Sequence, residues 1–390
     1  MPTYPANRRQ FLGAAGSVLI PATAAARKVR IGIVGGGFGA SFQWHLHPNC
    51  EVAAVCDIQP ERLETLARTY RCPNRYRTFR EMLKHPELDA AGVFTPAPLH
   101  AWMVVEAMKA GKHVISAVPA AMSEEDLEWI LETVQKTGLR YMMAETSFYR
   151  PQIMTCAEWS RQGRFGTVFY SEAEYHHEGL LGLFFDDRGL PTWRHGFPPM
   201  HYPTHCLGAV IPVIRERMRE VQAIGWGDGH EILRTNQYRN PFWNTTAFFK
   251  TSGGHACRVA VYWHVAAGGT ERAQFHGDRM SYIMERPERS PNTVIRIPAE
   301  GKVLIEAYQQ PDHMEKLPEP MRVKTGHGNS HTFLTHEFVS AILEERRPAV
   351  DIWEAIAYTL PGIVAHQSAL KGGEPLKIRE FRGQATKSRN

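Results

Sequence analysis

The stretch Met200-His201-Tyr202-Pro203-Thr204-His205-Cys206-Leu207-Gly208 holds the residue types and spacing best suited to proton chemistry in this 390-residue chain. Pro203 and Thr204 suit a helix start, which places His205 in the first turn, facing a cleft. A neutral imidazole there can take the proton of an alcohol while the carbon beneath it is oxidised, because its ordinary pKa lies near neutrality. Tyr202 is the neighbouring hydrogen-bonding or acid/base partner. Tyr175-His176-His177-Glu178 and Thr192-Trp193-Arg194-His195 add aromatic faces and fixed donors, the means by which a pocket holds a polyol. Tyr175 joins His205 and Tyr202 as a candidate catalytic group. His177, Trp193, Arg194 and His201 are expected to bind substrate. Gly326-His327-Gly328-Asn329-Ser330-His331 is expected to bring another imidazole, His331, to the same cleft.

Histidine clusters also raise the question of a metal. His201 and His205 have i, i+4 spacing, but Pro203 interrupts any shared helix, and adjacent His176 and His177 of a strand point to opposite faces. No metal is expected.

These groups need elements to hold them and an oxidant to work with. Val29 to Val34 is a short β-rich run ending at Gly35-Gly36-Gly37-Phe38-Gly39-Ala40, in which Gly35, Gly37 and Ala40 fit the G-x-G-x-x-A dinucleotide fingerprint. Glycine lets the backbone turn tightly and approach a pyrophosphate, and a helix is expected to follow and offer its free N–H groups. After that helical interval a second strand, Glu51 to Asp57, ends in an acid 17 residues beyond Ala40, placed to accept ribose hydroxyls and to repel a 2'-phosphate. NAD is therefore expected in preference to NADP. Strand and helix continue to alternate through Glu145, which argues a parallel sheet with its ligand crevice beyond the carboxyl ends of the strands. Phe38, Thr95, Pro96, His100 and Glu145 are accordingly assigned to the cofactor cleft.

The pattern changes near residue 149. Strand-like runs at 167–175, 220–224, 245–249, 256–264, 271–276 and 279–284 lack long intervening helices, which predicts an antiparallel sheet. The Pro-, Glu- and Gln-rich stretch 287–320 reads as surface loop, and helices return at 332–345 and 351–371. The fold class expected is an α/β Rossmann domain (29–148) followed by an α+β domain with a large, mainly antiparallel open sheet (149–383) and a short tail (384–390).

Residues 1–28 read separately. Arg8-Arg9-Gln10-Phe11-Leu12, a weakly apolar run to Ile20 and the small residues Ala22 to Ala26 predict a twin-arginine export signal and a periplasmic or extracellular protein. No later stretch is long and apolar enough to span a bilayer. A net charge of +5 with scattered Lys and Arg argues against a nucleic-acid partner, since no stripe could neutralise a phosphate backbone. The six cysteines are widely spaced and contain no C-x-x-C, so buried single thiols are expected.

From Val29 to about Pro375 the element order, Gly35-x-Gly37-x-x-Ala40, Thr95-Pro96, Gly111-Lys112-His113-Val114 and the pattern of Ala365, Gly372 and Gly373 resemble the glucose-fructose oxidoreductase / inositol dehydrogenase (Gfo/Idh/MocA) family. The resemblance implies an NAD(P)-binding Rossmann domain, a larger domain with an open sheet suited to homo-oligomer contacts, and sugar or polyol substrates in the cleft between the two. Two departures stand out. Where family dehydrogenases usually carry Glu-Lys-Pro, this chain has Ala117-Val118-Pro119, and His201 replaces the Asp expected four residues before His205. Ser116 to Ala120, Tyr202-Pro203-Thr204-His205 and Tyr175-x-His177 resemble the branch with NAD-dependent glycosidases of family 109 type. That likeness implies oxidation at sugar C3, loss of the C2 proton, elimination, hydration and re-reduction. Three functions remain open: an exported oxidoreductase with His205 as base, a redox-neutral glycosidase that begins with the same oxidation, and a non-catalytic carbohydrate- or dinucleotide-binding protein.

Overall fold

The computed structural model describes residues 27–266, 270–285, 290–298 and 301–381. The predicted tail lies outside the described residues, as does the predicted export signal apart from its last two positions.

The first sheet contains β1 (Val29–Val34), β2 (Cys50–Cys56), β3 (Arg75–Tyr76), β4 (Ala90–Val93), β5 (His113–Ser116) and β6 (Tyr141–Met143). Their spatial order is β3-β2-β1-β4-β5-β6, and every pairing is parallel. The order reverses between β1 and β4, the switch point where a doubly wound sheet opens its crevice. Helices α1 (Pro60–Tyr70), α2 (Phe79–Leu83), α3 (His100–Lys109) and α4 (Glu124–Thr137) cover it. Pro60 opens α1, and Ser123 caps α4 by accepting the Asp126 N–H.

The connection from β1 to β2 departs from expectation. Two 3-10 turns, Phe38–Ser41 and Trp44–Leu46, stand where a helix was expected to follow the fingerprint. Core packing accounts for this: Phe42 and Trp44 are buried, with Phe42 against Phe94 at 4.5 Å between ring centres. Anchoring both rings draws the short segment into the core and leaves no room for a regular helix.

The second part begins with α5 (Pro151–Arg161) and β7 (Val168–His176), followed by α6 (Thr204–Ile214), β8 (Met218–Trp226), α7 (Glu231–Arg234), β9 (Asn244–Thr251), β10 (Ala256–Tyr262), β11 (Thr270–Gly277) and β12 (Met280–Ile283). Two further strands, β13 (Thr293–Arg296) and β14 (Leu304–Ala307), occupy the stretch expected to be loop. They extend the sheet edge, β13 antiparallel to β12 and β14 antiparallel to β13, so main-chain pairing overrides their Pro-rich surroundings. Helices α8 (Ser330–Leu343) and α9 (Ile352–Leu370) and the short β15 (Leu376–Lys377) complete it. The nine strands run β14-β13-β12-β11-β7-β10-β9-β8-β15. All pairs are antiparallel except β7 with β10.

One face of this sheet packs against α5, α6 and α9, and the other leaves Phe169, Ile224, Trp226 and Phe248 exposed. Helix α8 crosses back: Leu334, Phe338, Val339 and Ile342 join the core cluster of β1 and β2. All six cysteines are buried and free. No helix among the described residues is long and apolar enough to cross a membrane.

Candidate active site

Helix α6 starts directly after Pro203, and His205 is its second residue. The side chain is buried, and Nδ1 donates to Glu145 Oε1 at 2.8 Å. Because a carboxylate only accepts, this bond fixes the proton on Nδ1 and leaves Nε2 as the ring nitrogen for chemistry. Glu145 follows β6, is fully buried, and holds its position by accepting the Ser147 N–H at 2.9 Å. A Cβ on Gly208, one turn along α6, would overlap Glu145 Cγ, so glycine is what lets the carboxylate lie against this helix. Glu145 was expected to bind cofactor. The structure sets its Oε1 against His205, because the chain turns inward after β6 and aims the carboxylate at α6.

Burial pushes the His205 pKa down, but the charge and hydrogen bond of Glu145, with the charge of Glu271, outweigh it and leave it raised. Tyr175, near the end of β7, lies against His205 at 4.6 Å and is stacked on Tyr202 at 6.0 Å. Burial, reinforced by Tyr202, Glu271 and Glu145, pushes the Tyr175 phenol well above its usual range, so it carries its proton at neutral pH. Trp263 meets Tyr175 and Tyr202 edge-on and is held by an Nε1–H bond to the Phe197 carbonyl. His177 packs against Tyr175 and Trp263, with burial pushing its pKa down.

A second charged group lies beside these rings. Glu271 stands opposite Tyr175 in the β7–β11 register, so both side chains share a face. It accepts from Arg150 Nε at 2.8 Å, and also from Arg150 Nη2 and Ser147 Oγ. Burial disfavours its charge, yet Arg150 above all, then His205 and Ser147, hold the carboxyl down at about 2. Arg150, Ser147 and Glu271 were not among the expected site residues. Arg150 and Ser147 follow a strand end that sequence could locate, whereas Glu271 is recognisable only from cross-strand register.

Trp193 and Arg194 form a second wall. The guanidinium lies 4.2 Å from the Trp193 ring centre, Nε is buried without a partner, and the Arg194 charge helps to lower the His177 pKa. His201 is placed differently from expectation. It ends the separate 3-10 turn Pro199–His201 and packs against Phe197 and His366, with burial pushing its pKa down to about 3. Pro203 separates that turn from α6, so the i, i+4 spacing does not bring His201 beside His205. His331, also expected to meet substrate, is buried under the dinucleotide loop, donating from Nδ1 to the Ser41 carbonyl at 3.1 Å. The start of α8 packs on the first domain and carries His331 there.

The glycine-rich loop fits a dinucleotide. Gly35 has φ +98°, and a Cβ there would overlap the Phe94 carbonyl. No atom stands within 4 Å of the place a Gly37 side chain would take, leaving room for a phosphate to approach the backbone. Asp57 accepts the Gly36 N–H at 2.6 Å and the Gln59 N–H at 2.8 Å, so its carboxylate lies beside the loop with lone pairs to spare for ribose hydroxyls. Phe38 and Ala40 border the Phe42–Phe94 cluster, and Thr95-Pro96 follows the carboxyl end of β4. His100 is displaced from its expected role. It is buried with each ring nitrogen 2.8 Å from a main-chain carbonyl, of Pro119 or Thr95, so its one N–H serves a rim loop and both nitrogens face backbone, not cofactor.

Comparison with known proteins agrees with this architecture. The NAD-binding Rossmann domain of the Gfo/Idh/MocA oxidoreductase family matches residues 29–145, and the family's C-terminal α/β domain matches 244–378. A glycosyl hydrolase family 109 protein from Stenotrophomonas maltophilia is 25% identical over 98% of this chain and 97% of its own length. A glycosyl hydrolase family 109 protein from Bacteroides thetaiotaomicron is 24% identical over 97% and 89%. Among solved structures, levoglucosan dehydrogenase in complex with NADH and L-sorbose superposes with a TM-score of 0.76 at 18% identity, covering 91% of this chain and all of that one. The scyllo-inositol dehydrogenase of Lactobacillus casei gives 0.66 at 17% identity, covering 91% and 99%.

Proposed function

Because this chain belongs to the Gfo/Idh/MocA oxidoreductase family, we propose that it is an exported NAD-dependent enzyme that oxidises a ring hydroxyl, at C3, of a sugar or glycoside. The observation that carries the reading is the buried Glu145–His205 pair, with its one uncommitted nitrogen beside two stacked tyrosines. NAD held by the glycine loop and Asp57 supplies the hydride acceptor. His205 Nε2 takes the hydroxyl proton, and the resulting imidazolium is stabilised by the Glu145 carboxylate, with Glu271 behind it. Tyr175 and Tyr202 offer phenol donors that orient the sugar, and Trp263 with Trp193 supplies apolar walls for its ring.

A redox-neutral glycosidase is the second reading. The names of the family 109 relatives favour it, as does the Ala117-Val118-Pro119 stretch in place of a lysine-bearing one. Here C3 oxidation acidifies the C2 proton, and elimination, hydration and re-reduction follow. Mass-spectrometric product balance separates the two readings, using purified protein, a panel of glycosides and nearly equimolar NAD. A keto glycoside matched by NADH supports net oxidation, whereas unoxidised free sugar exceeding the NAD supplied supports the glycosidase.

Export rests on Arg8-Arg9 and the run that follows, and cell fractionation tests it. The open face carrying Phe169, Ile224, Trp226 and Phe248 is suited to a second copy of this chain, which light scattering tests.

A further inference from the structure

His327 lies in the glycine-bounded turn before α8, and no expected role covers it. Its backbone is left-handed, at φ +52°, and a side chain on the next residue, Gly328, would touch Pro151 and Arg150. The ring meets the edge of Phe38, in the dinucleotide loop, with centroids 6.0 Å apart. Burial above all lowers its pKa, with the Glu271 charge opposing and the charges of His205 and Arg150 adding to the fall, which places the ring among the charges of the reaction centre. The residue itself keeps an exposed surface.

Its hydrogen bonds determine which nitrogen is bare. The Ser41 carbonyl can only accept, so His331 Nδ1, 3.1 Å away, carries a proton. In the neutral ring His331 Nε2 is then an acceptor, and its neighbour at 3.0 Å, His327 Nδ1, must be the donor. Neutral His327 is thereby left with a lone pair on Nε2, for which the described residues provide no partner.

We propose that His327 is a positioning residue whose Nε2 accepts a hydrogen bond from a hydroxyl of the sugar held against His205, with the His331–Ser41 contact fixing its tautomer. This rests on the oxidoreductase reading of the same cleft. The chain of bonds also makes the orientation of His327 depend on the dinucleotide loop, since Ser41 ends that loop's 3-10 turn.

The test has two parts, both on the full chain loaded with NAD. Nitrogen-15 spectra of histidine-labelled protein, assigned by the signal lost in His327→Asn, should show His327 protonated on Nδ1 and bare on Nε2. In His331→Ala that single tautomer should give way to a mixture. A proton on Nε2 of His327 in the unaltered protein would overturn the proposal. The second part measures KM and kcat for the p-nitrophenyl α- and β-glycosides of glucose and galactose. Asparagine tolerates the left-handed backbone and retains a donor near the Nδ1 position, so His327→Asn should fold. Loss of one hydrogen bond should raise KM up to about tenfold, with NAD affinity unchanged. Unchanged KM, or a loss of NAD affinity that accounts for the whole effect, would overturn it. Absence of turnover by the unaltered protein counts against the oxidoreductase reading, whereas the nitrogen spectrum decides the tautomer independently.

Discussion

Replacing Glu145 with glutamine removes the charge behind His205 while keeping the size of the side chain. The amide oxygen can still accept from His205 Nδ1 and the Ser147 N–H, so the ring should stay in place. What disappears is the attraction for the imidazolium formed when the substrate proton arrives. A hydrogen bond to a charged group contributes about 1.5–3 kcal/mol and a neutral one about 1 kcal/mol, so the difference is about 0.5–2 kcal/mol. That corresponds to about one pKa unit and roughly a tenfold loss of rate. Glu145 Oε2 is buried without a partner, so the amide nitrogen placed there leaves its protons unsatisfied, and the loss should fall at or above that figure. The assay is the pH dependence of kcat/KM for NADH formation, alongside nuclear magnetic resonance titration of His205. The acid limb should move to lower pH as the rate falls. An unchanged His205 titration together with an unchanged rate would refute the reasoning.

Other perturbations probe neighbouring links. Gly208→Ala should displace Glu145 Cγ and lower kcat about tenfold or more while NAD affinity stays intact, as read by cofactor fluorescence titration. Asp57→Ala removes the acceptor for Gly36 N–H and for ribose hydroxyls, and should weaken NAD binding by about tenfold in the same titration. Acid should destabilise the fold through its buried neutral histidines. Burial, aided by a neighbouring His, pushes His47 and His331 down to about 4, and burial alone does the same to His366. The unfolded chain therefore takes up protons first as pH falls below about 6.5, and each histidine lowers stability by about 1.4 kcal/mol per pH unit until about pH 4. Thermal melts should show Tm falling from pH 7 to pH 5, and a flat Tm would contradict the burial of these rings as neutral groups.

How far the sequence discloses this site depends on whether the signal is local. Tyr202, Pro203, Thr204 and His205 are consecutive, and a proline before a helical run fixes where the imidazole emerges. Tyr175 and His177 lie near a strand end that alternation locates to within about a residue. Glu145 shows the limit of such reasoning: strand order places it at the crevice, but the direction of the turn after β6 decides between cofactor and His205. Glu271 is invisible for a different reason, since only the β7–β11 register sets it opposite Tyr175. His331 was expected to meet substrate because the glycine-bounded stretch 326–331 reads as bringing an imidazole to the cleft. The apolar side of α8, with Leu334 and Phe338, is buried in the first domain's core and takes His331 beneath the dinucleotide loop. The missing helix after Ala40 has the same origin, because burial of Phe42 and Trp44 overrides the expectation attached to the fingerprint.

Isotope transfer tests the central claim, hydride removal from a sugar carbon beside His205, most directly. A glycoside carrying deuterium at C3 is mixed with the protein and NAD for a single turnover, and the recovered cofactor is weighed by mass spectrometry. The account predicts reduced nicotinamide carrying that deuterium, and none in His205→Ala. Reduced cofactor free of deuterium, or glycoside cleavage with the label never leaving C3, would contradict it.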